Sequence, residues 1–126
     1  VVAIFAGQML TNQQIVINGD GEQQRDFIYV GDCAHANLLA LTTGNVNTIH
    51  NIGSGLGSSV NDIYHMLKDI ACYDKSPQYA PARLGETRRI YLDTGKATRQ
   101  LGWVPSINLM EGLRMTVDYF QKAELA

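Results

Sequence analysis

The chain has 126 residues, 45% of them hydrophobic and 17% charged, and this balance describes an ordinary globular domain able to bury a core without staples. Ten Lys+Arg against 12 Asp+Glu leave a formal charge of −2, which excludes a strongly basic nucleic-acid footprint. No apolar run approaches the roughly 20 residues of a membrane helix, so no membrane partner is expected. Cys33 and Cys72 are far apart, with no Cys-x-x-Cys, and His35, His50 and His65 are scattered singly. A zinc site or disulfide framework is therefore not expected; the cysteines read as reduced thiols of a cytoplasmic protein. The opening Val1-Val2-Ala3-Ile4-Phe5 lacks a charged stretch ahead of an apolar one, unlike a signal peptide, and reads as the middle of something larger.

In chain order, Val2, Phe5, Ala6 and Met9 fall at helical spacing and predict an amphipathic helix through about Leu10. Ile15-Val16-Ile17 predicts a strand, broken by Asn18-Gly19-Asp20-Gly21. Phe27-Ile28-Tyr29-Val30 predicts a second strand, and Asp32 is placed to cap a helix lined by Ala34, Leu38 and Leu41 and closed near Gly44. Thr48 to Ile52 predicts a third strand, leading into Gly53-Ser54-Gly55-Leu56-Gly57. Ser59 and Asp62 stand as a capping pair before the stripe Val60, Ile63, Leu67 and Ile70. From Cys72 to Ile90 the pattern dissolves into a loop punctuated by prolines. Asp93 is placed to cap a short helix holding Ala97 and Leu101, which Gly102 ends before Pro105. Leu109, Leu113, Val117 and Phe120 share one face of a last helix. The expected fold is a single α/β domain over residues 1–126, with short strands and about five helices.

The glycine run after the third predicted strand approaches the dinucleotide-binding pattern G-x-G-x-x-G, but Ser58 occupies the third glycine position. No strand pattern leads to Asp74, the acidic residue nearest the expected ribose position. A tight turn capped by Ser59 is the favoured reading; cofactor binding and a sugar- or phosphate-facing loop are the alternatives.

Gly19-Asp20-Gly21-x-x-x-Arg25-Asp26-Phe27-x-Tyr29-Val30-x-Asp32 resembles a signature of NAD-dependent sugar-nucleotide epimerases and dehydratases, the extended short-chain dehydrogenases/reductases. Four further segments match in order: Asn51-Ile52-Gly53-x-Gly55 with Ser59-Val60, Arg83-Leu84-Gly85-Glu86-Thr87-Arg88-Arg89, Asp93-x-x-Lys96-Ala97 through Leu101-Gly102-Trp103-x-Pro105, and Glu111-Gly112-Leu113. The resemblance covers nearly the whole chain, with UDP-glucose 4-epimerases as the best-known family members. It implies the C-terminal substrate-binding part of such an enzyme, lacking the Rossmann half, so that NAD is implied for the full-length family member and not for this chain. Tyr64 and Lys68 form a Tyr-x-x-x-Lys, but on the helix that matches the family's substrate part, and they read as structural neighbours.

The resemblance carries Arg25 and Arg83 as phosphate contacts, a role suited to guanidinium forks. An ion pair with Asp26 or a surface role is the alternative for Arg25. Glu86 stands where the family places a ribose-binding carboxylate, or it is an exposed partner of Arg88. Val16 and Asn18 correspond to the base-contacting strand, although an aromatic residue often stands where Asn18 is; a strand entering a turn explains them equally. Arg88 and Arg89 read as solvated or salt-bridged, and Trp103 and Pro105 as structural. The implied ligand is a nucleotide sugar, with a UDP-sugar favoured. A stand-alone module that binds a nucleotide sugar or a protein and catalyses nothing is the alternative. The apolar stripe of the first helix is an expected homodimer face.

Overall fold

The first helix, α1 (Val2–Leu10), turns Phe5, Ala6 and Met9 inward, as its spacing predicts. The structure, a computed structural model, describes residues 1–44 and 47–124, without the side chain of residue 124. The α1 stripe packs against α3 (Val60–Ile70) and α5 (Leu109–Glu124), where Ile63, Tyr64 and Leu67 meet Leu113 and Val117. That burial corrects the expected dimer face: the stripe is core. The capping box at the start of α3 is present, with Ser59 Oγ accepting from Asp62 N and Asp62 Oδ2 accepting from Ser59 N at 2.8 Å.

Two small sheets edge this core. Strand β1 (Val16–Asn18) runs parallel to β4 (Gln78–Ala80), with Val16 opposite Gln78 and Asn18 opposite Ala80. Strand β2 (Gln24–Arg25) pairs antiparallel with β3 (Ser58–Ser59). The region expected to be an unbroken loop between Cys72 and Ile90 thus contains β4. It begins right after Pro77, a position that needs no ladder donor from the proline.

The second and third predicted strands are absent. Residues 27–29 do alternate, with Phe27 against the first apolar cluster and Ile28 against the second, but no strand lies beside them and Val30 opens α2 (Val30–Thr42). Residues 48–52 are held by side chains instead of a ladder: Lys96 Nζ donates to Ile49 O (2.8 Å) and Asn51 Nδ2 to Asp93 O (3.2 Å).

The face of α2 is also corrected. Asp32 and Ala36 point inward, while Leu38 and Leu41 are 58% and 83% exposed and Ala34 is exposed too. The second cluster explains the reversal, because Ala36 packs with Ala97, Leu101 and Trp103 from α4 (Gly95–Leu101) and the turn after it. Asp32 is not the cap, since α2 starts two residues earlier. Its Oδ1 instead accepts from Ser106 Oγ (2.6 Å) and Ser106 N (3.1 Å), and its Oδ2 from Ile107 N (3.0 Å). Its backbone carbonyl also accepts from the buried Trp103 Nε1. Asp93 stands one residue before the N-cap Thr94 and accepts from Gly95 N. Gly102 closes α4 at φ 65, a left-handed turn that glycine enters without strain. No described helix is long and apolar enough to cross a membrane.

Candidate functional site

A cleft of about 360 Å³ opens between α1, β1 and the loop around residues 83–86. Val16 and Asn18 line it from β1, Arg83 and Glu86 from the loop, and Phe5 and Gln8 from α1. A neighbouring hollow of about 220 Å³ shares Asn18, Gln23, Arg83 and Glu86 and adds Asp20 and Arg88. Four of the five site residues read from the sequence thus face one space. The fifth stands behind it. Arg25 Nη1 donates to Thr87 O (2.8 Å) and Gln24 O (2.7 Å), and its Nη2 lies 3.4 Å from Glu86 Oε1.

The ion pairs differ from those weighed in the sequence. Arg25 pairs with Glu86 and not with Asp26, and Glu86 pairs with Arg25 and not with Arg88. Arg88 holds both carboxylate oxygens of Asp20 at 2.7 and 2.9 Å, as its salt-bridged reading expects. These bonds hold the Asp20 carboxyl below its ordinary value, chiefly through Arg88 and then through the Glu22 amide. The cleft therefore combines an apolar floor, neutral amides and a mixed-charge rim on which Arg83 brings a fork-shaped cation.

The sequence reading missed Gln8 and Gln23. Gln23 is buried and fixed, its Nε2 donating to Asn18 O at 3.0 Å. Gln8 is half-buried on α1. Its signal was a polar residue one turn past Ile4 and Phe5, on the side of the helix that carries them to the cleft.

The glycine loop has a different occupant. Asp26 Oδ1 accepts from Ser54 N (2.7 Å) and Ser54 Oγ (2.6 Å), and its Oδ2 from Gly55 N (3.0 Å) and Leu92 N (3.2 Å). Partial burial pushes the Asp26 carboxyl up, but the Ser54 hydroxyl and the three amides outweigh it and hold the group below its ordinary value. The glycines answer to this packing. A Cβ on Gly53 would lie 2.5 Å from Asp26 Oδ2, and one on Gly57 would lie 2.9 Å from the Tyr91 ring. The amides that would cradle a pyrophosphate thus already serve an internal carboxylate, and no strand precedes the loop. These residues do not fit a dinucleotide cofactor, and the tight-turn reading is the one the geometry supports.

Tyr64 and Lys68 are likewise engaged. Tyr64 is buried in the core and its hydroxyl donates to Lys75 O at 2.5 Å, while Lys68 Nζ donates to the same carbonyl at 3.2 Å. Burial raises the Tyr64 phenol above its ordinary value, away from the phenolate a base would need.

Residues 1–53 match the model of the NAD dependent epimerase/dehydratase family. A UDP-glucose 4-epimerase from Thermotoga maritima, solved with UDP-glucose, shares 48% identity and a TM-score of 0.94 over 98% of this chain and 40% of its own. The chain fits part of an NAD-dependent epimerase/dehydratase. A protein of Methanocaldococcus jannaschii, provisionally named a UDP-glucose 4-epimerase, is 46% identical over 96% of this chain and 39% of its own length. A Thermus thermophilus UDP-glucose 4-epimerase solved with NAD is 34% identical, with a TM-score of 0.86 over 97% of this chain and 40% of its own. The chain therefore spans about two fifths of the length of these relatives, and the five helices and short strands among its described residues correspond to that part of their fold.

Proposed function

We propose that this chain is the nucleotide-sugar-binding part of an NAD-dependent sugar-nucleotide epimerase of the UDP-glucose 4-epimerase kind. The observation that carries this reading is the convergence of Val16, Asn18, Arg83 and Glu86 on one cleft, from segments nearly 70 residues apart. In this reading the base lies along Val16 and Asn18, Glu86 accepts from a ribose hydroxyl, and Arg83 forks the diphosphate. Arg25 holds Glu86 and Thr87, so it orients the loop and adds positive charge behind it. A UDP-sugar is the favoured ligand because the Thermotoga relative was solved with UDP-glucose.

The contribution to turnover is remote binding. The nucleotide diphosphate is gripped equally well throughout the reaction, which leaves the hexose free to turn between oxidation and reduction. NAD supplies the hydride chemistry in such enzymes, and no hydride step is assigned to the residues described above.

Calorimetric titration with UDP, dTDP, GDP and UDP-glucose tests the reading. UDP and UDP-glucose are expected to bind, and Arg83→Ala to weaken both by about 10- to 150-fold, the equivalent of one charged hydrogen-bonding group. No heat from any of the four refutes it.

A further inference from the structure

We infer that Asn61 is a positioning residue, which holds the turn at residues 20–22 so that Asp20 keeps the Arg88 guanidinium beside the ligand; the inference rests on the binding reading above. Asn61 stands in the first turn of α3, where the Ser59–Asp62 capping box is complete without it. Its side chain is spent on the 20–22 turn instead. Nδ2 donates to Asp20 O (2.9 Å) and to Glu22 Oε1 (2.7 Å), and the Asn61 backbone N–H donates to Gly21 O (3.0 Å). The Tyr79 hydroxyl donates to Asn61 Oδ1 at 3.2 Å, which ties β4 to the same amide. A helix, a strand and a turn thus meet at one carboxamide. Gly21 leaves room for it, since at φ 77 a Cβ on that residue would overlap the Asn61 amide.

The turn held in this way carries Asp20. Its Oδ1 accepts from Glu22 N at 3.0 Å, and both its oxygens hold Arg88 Nη1. The side chains of this pair are 59% and 58% exposed, so it adds little to stability. Its effect is one of direction. A long arginine side chain free in water samples many rotamers, and a carboxylate fixed on its own turn selects among them. The backbone at residue 88 is fixed separately, because Gln24 N donates to Arg88 O at 2.8 Å. Asn61 and Asp20 therefore govern the place of the guanidinium and not the course of the chain. That place is the hollow which Arg88 and Asp20 line together with Arg83 and Glu86, where a second cation adds to the attraction that Arg83 offers a diphosphate.

A residue that acts through another is exposed by a double-mutant cycle. The experiment is calorimetric titration of UDP into wild type, Asn61→Ala, Arg88→Ala and the double variant, with circular dichroism verifying that each folds. Arg88→Ala is expected to weaken UDP by about 3- to 10-fold and Asn61→Ala by about 2- to 5-fold, the range of one hydrogen bond or one rim charge. In the Arg88→Ala background, Asn61→Ala is expected to cost nothing further. Asn61→Asp gives a second variant that keeps the shape and the acceptor for Tyr79 but loses the donated bonds. A carboxylate suits the first turn of a helix, so this variant is expected to fold and still to weaken UDP by about 2- to 5-fold. UDP affinity equal to wild type in Asn61→Asp, or in Arg88→Ala, overturns the inference while leaving the binding reading standing. The same loss from Asn61→Ala in both backgrounds also overturns it, because Asn61 then acts by loosening the fold and not through Arg88. A wild type that binds no UDP overturns the binding reading and the inference together.

Discussion

Replacing Asp32 with Asn changes no volume and removes one charge, which makes it a sharp test of what joins α2 to the segment after α4. The carboxylate is buried and accepts three bonds, from Ser106 Oγ, Ser106 N and Ile107 N, at 2.6, 3.1 and 3.0 Å. An amide keeps a single acceptor oxygen and turns an NH2 toward one of the two backbone donors. One backbone N–H then faces an NH2 in place of its acceptor, at about 1–3 kcal/mol, and the surviving bonds lose their charge assistance, at about 0.5–1 kcal/mol more. The expected loss is about 2–4 kcal/mol. An unfolding entropy of about 2.1 cal/mol/K per residue turns each kcal/mol into roughly 4 °C for a chain of 126 residues, a drop in Tm of about 8–16 °C. Thermal unfolding followed by circular dichroism at pH 7 reads this directly. The experiment carries an internal control in pH. Burial raises the Asp32 carboxyl, but the Ser106 hydroxyl and the Ile107 and Ser106 amides outweigh it, so the folded value lies below the unfolded one near 3.8. A group depressed in this way stabilises the fold above its unfolded value and ceases to do so as pH falls through its folded value. The gap between wild type and Asp32→Asn therefore narrows below about pH 4. A Tm within 4 °C of wild type at pH 7 would refute the reasoning.

The same sign holds for Asp26 and Asp62, both depressed, so wild-type stability by urea titration is expected to be level near neutrality and to fall steeply below about pH 4. A flat profile down to pH 3 contradicts that. Gly53→Ala places its methyl 2.5 Å from Asp26 Oδ2 and 3.1 Å from Leu92, and is expected to cost about 1–3 kcal/mol in the same titration. An unchanged urea midpoint would show that the loop tolerates a side chain and that its glycines answer to something else.

The parts of the fold legible in the sequence were those built from local signals. The periods of α1, α3 and α5 and the Ser59–Asp62 capping box each lie within one stretch of chain, and all four appear in the structure. What escaped was decided at a distance. The spacing of Ala34, Leu38 and Leu41 describes a helix face well enough, but which face of α2 is buried depends on Trp103 and Ser106, some 70 residues away. Scattered apolar residues on an exposed face are common, and they do not by themselves mark the inside. Strand β4 exists because β1 offers it a parallel edge, and residues 48–52 lack a ladder although their β-branched residues invite one. The site shows the same division. Val16, Asn18, Arg83 and Glu86, singled out through the motif, line one space, yet the motif gave no sign that Arg25 would grip Glu86, nor that Gln8 would face the same cleft.

Arg25 and Asp26 are neighbours in the chain but take hold of different segments, Arg25 the 86–87 turn and Asp26 the amides of residues 54, 55 and 92. The two grips share one peptide unit, so they act on each other mechanically. A ligand that drew Arg25 or Glu86 toward it would strain the Asp26 clamp as well. Ligand binding at the cleft is therefore expected to be coupled to the opening of the glycine loop. Slowed amide exchange at Ser54, Gly55 and Leu92 on ligand addition would be its signature, at positions that do not line the cleft.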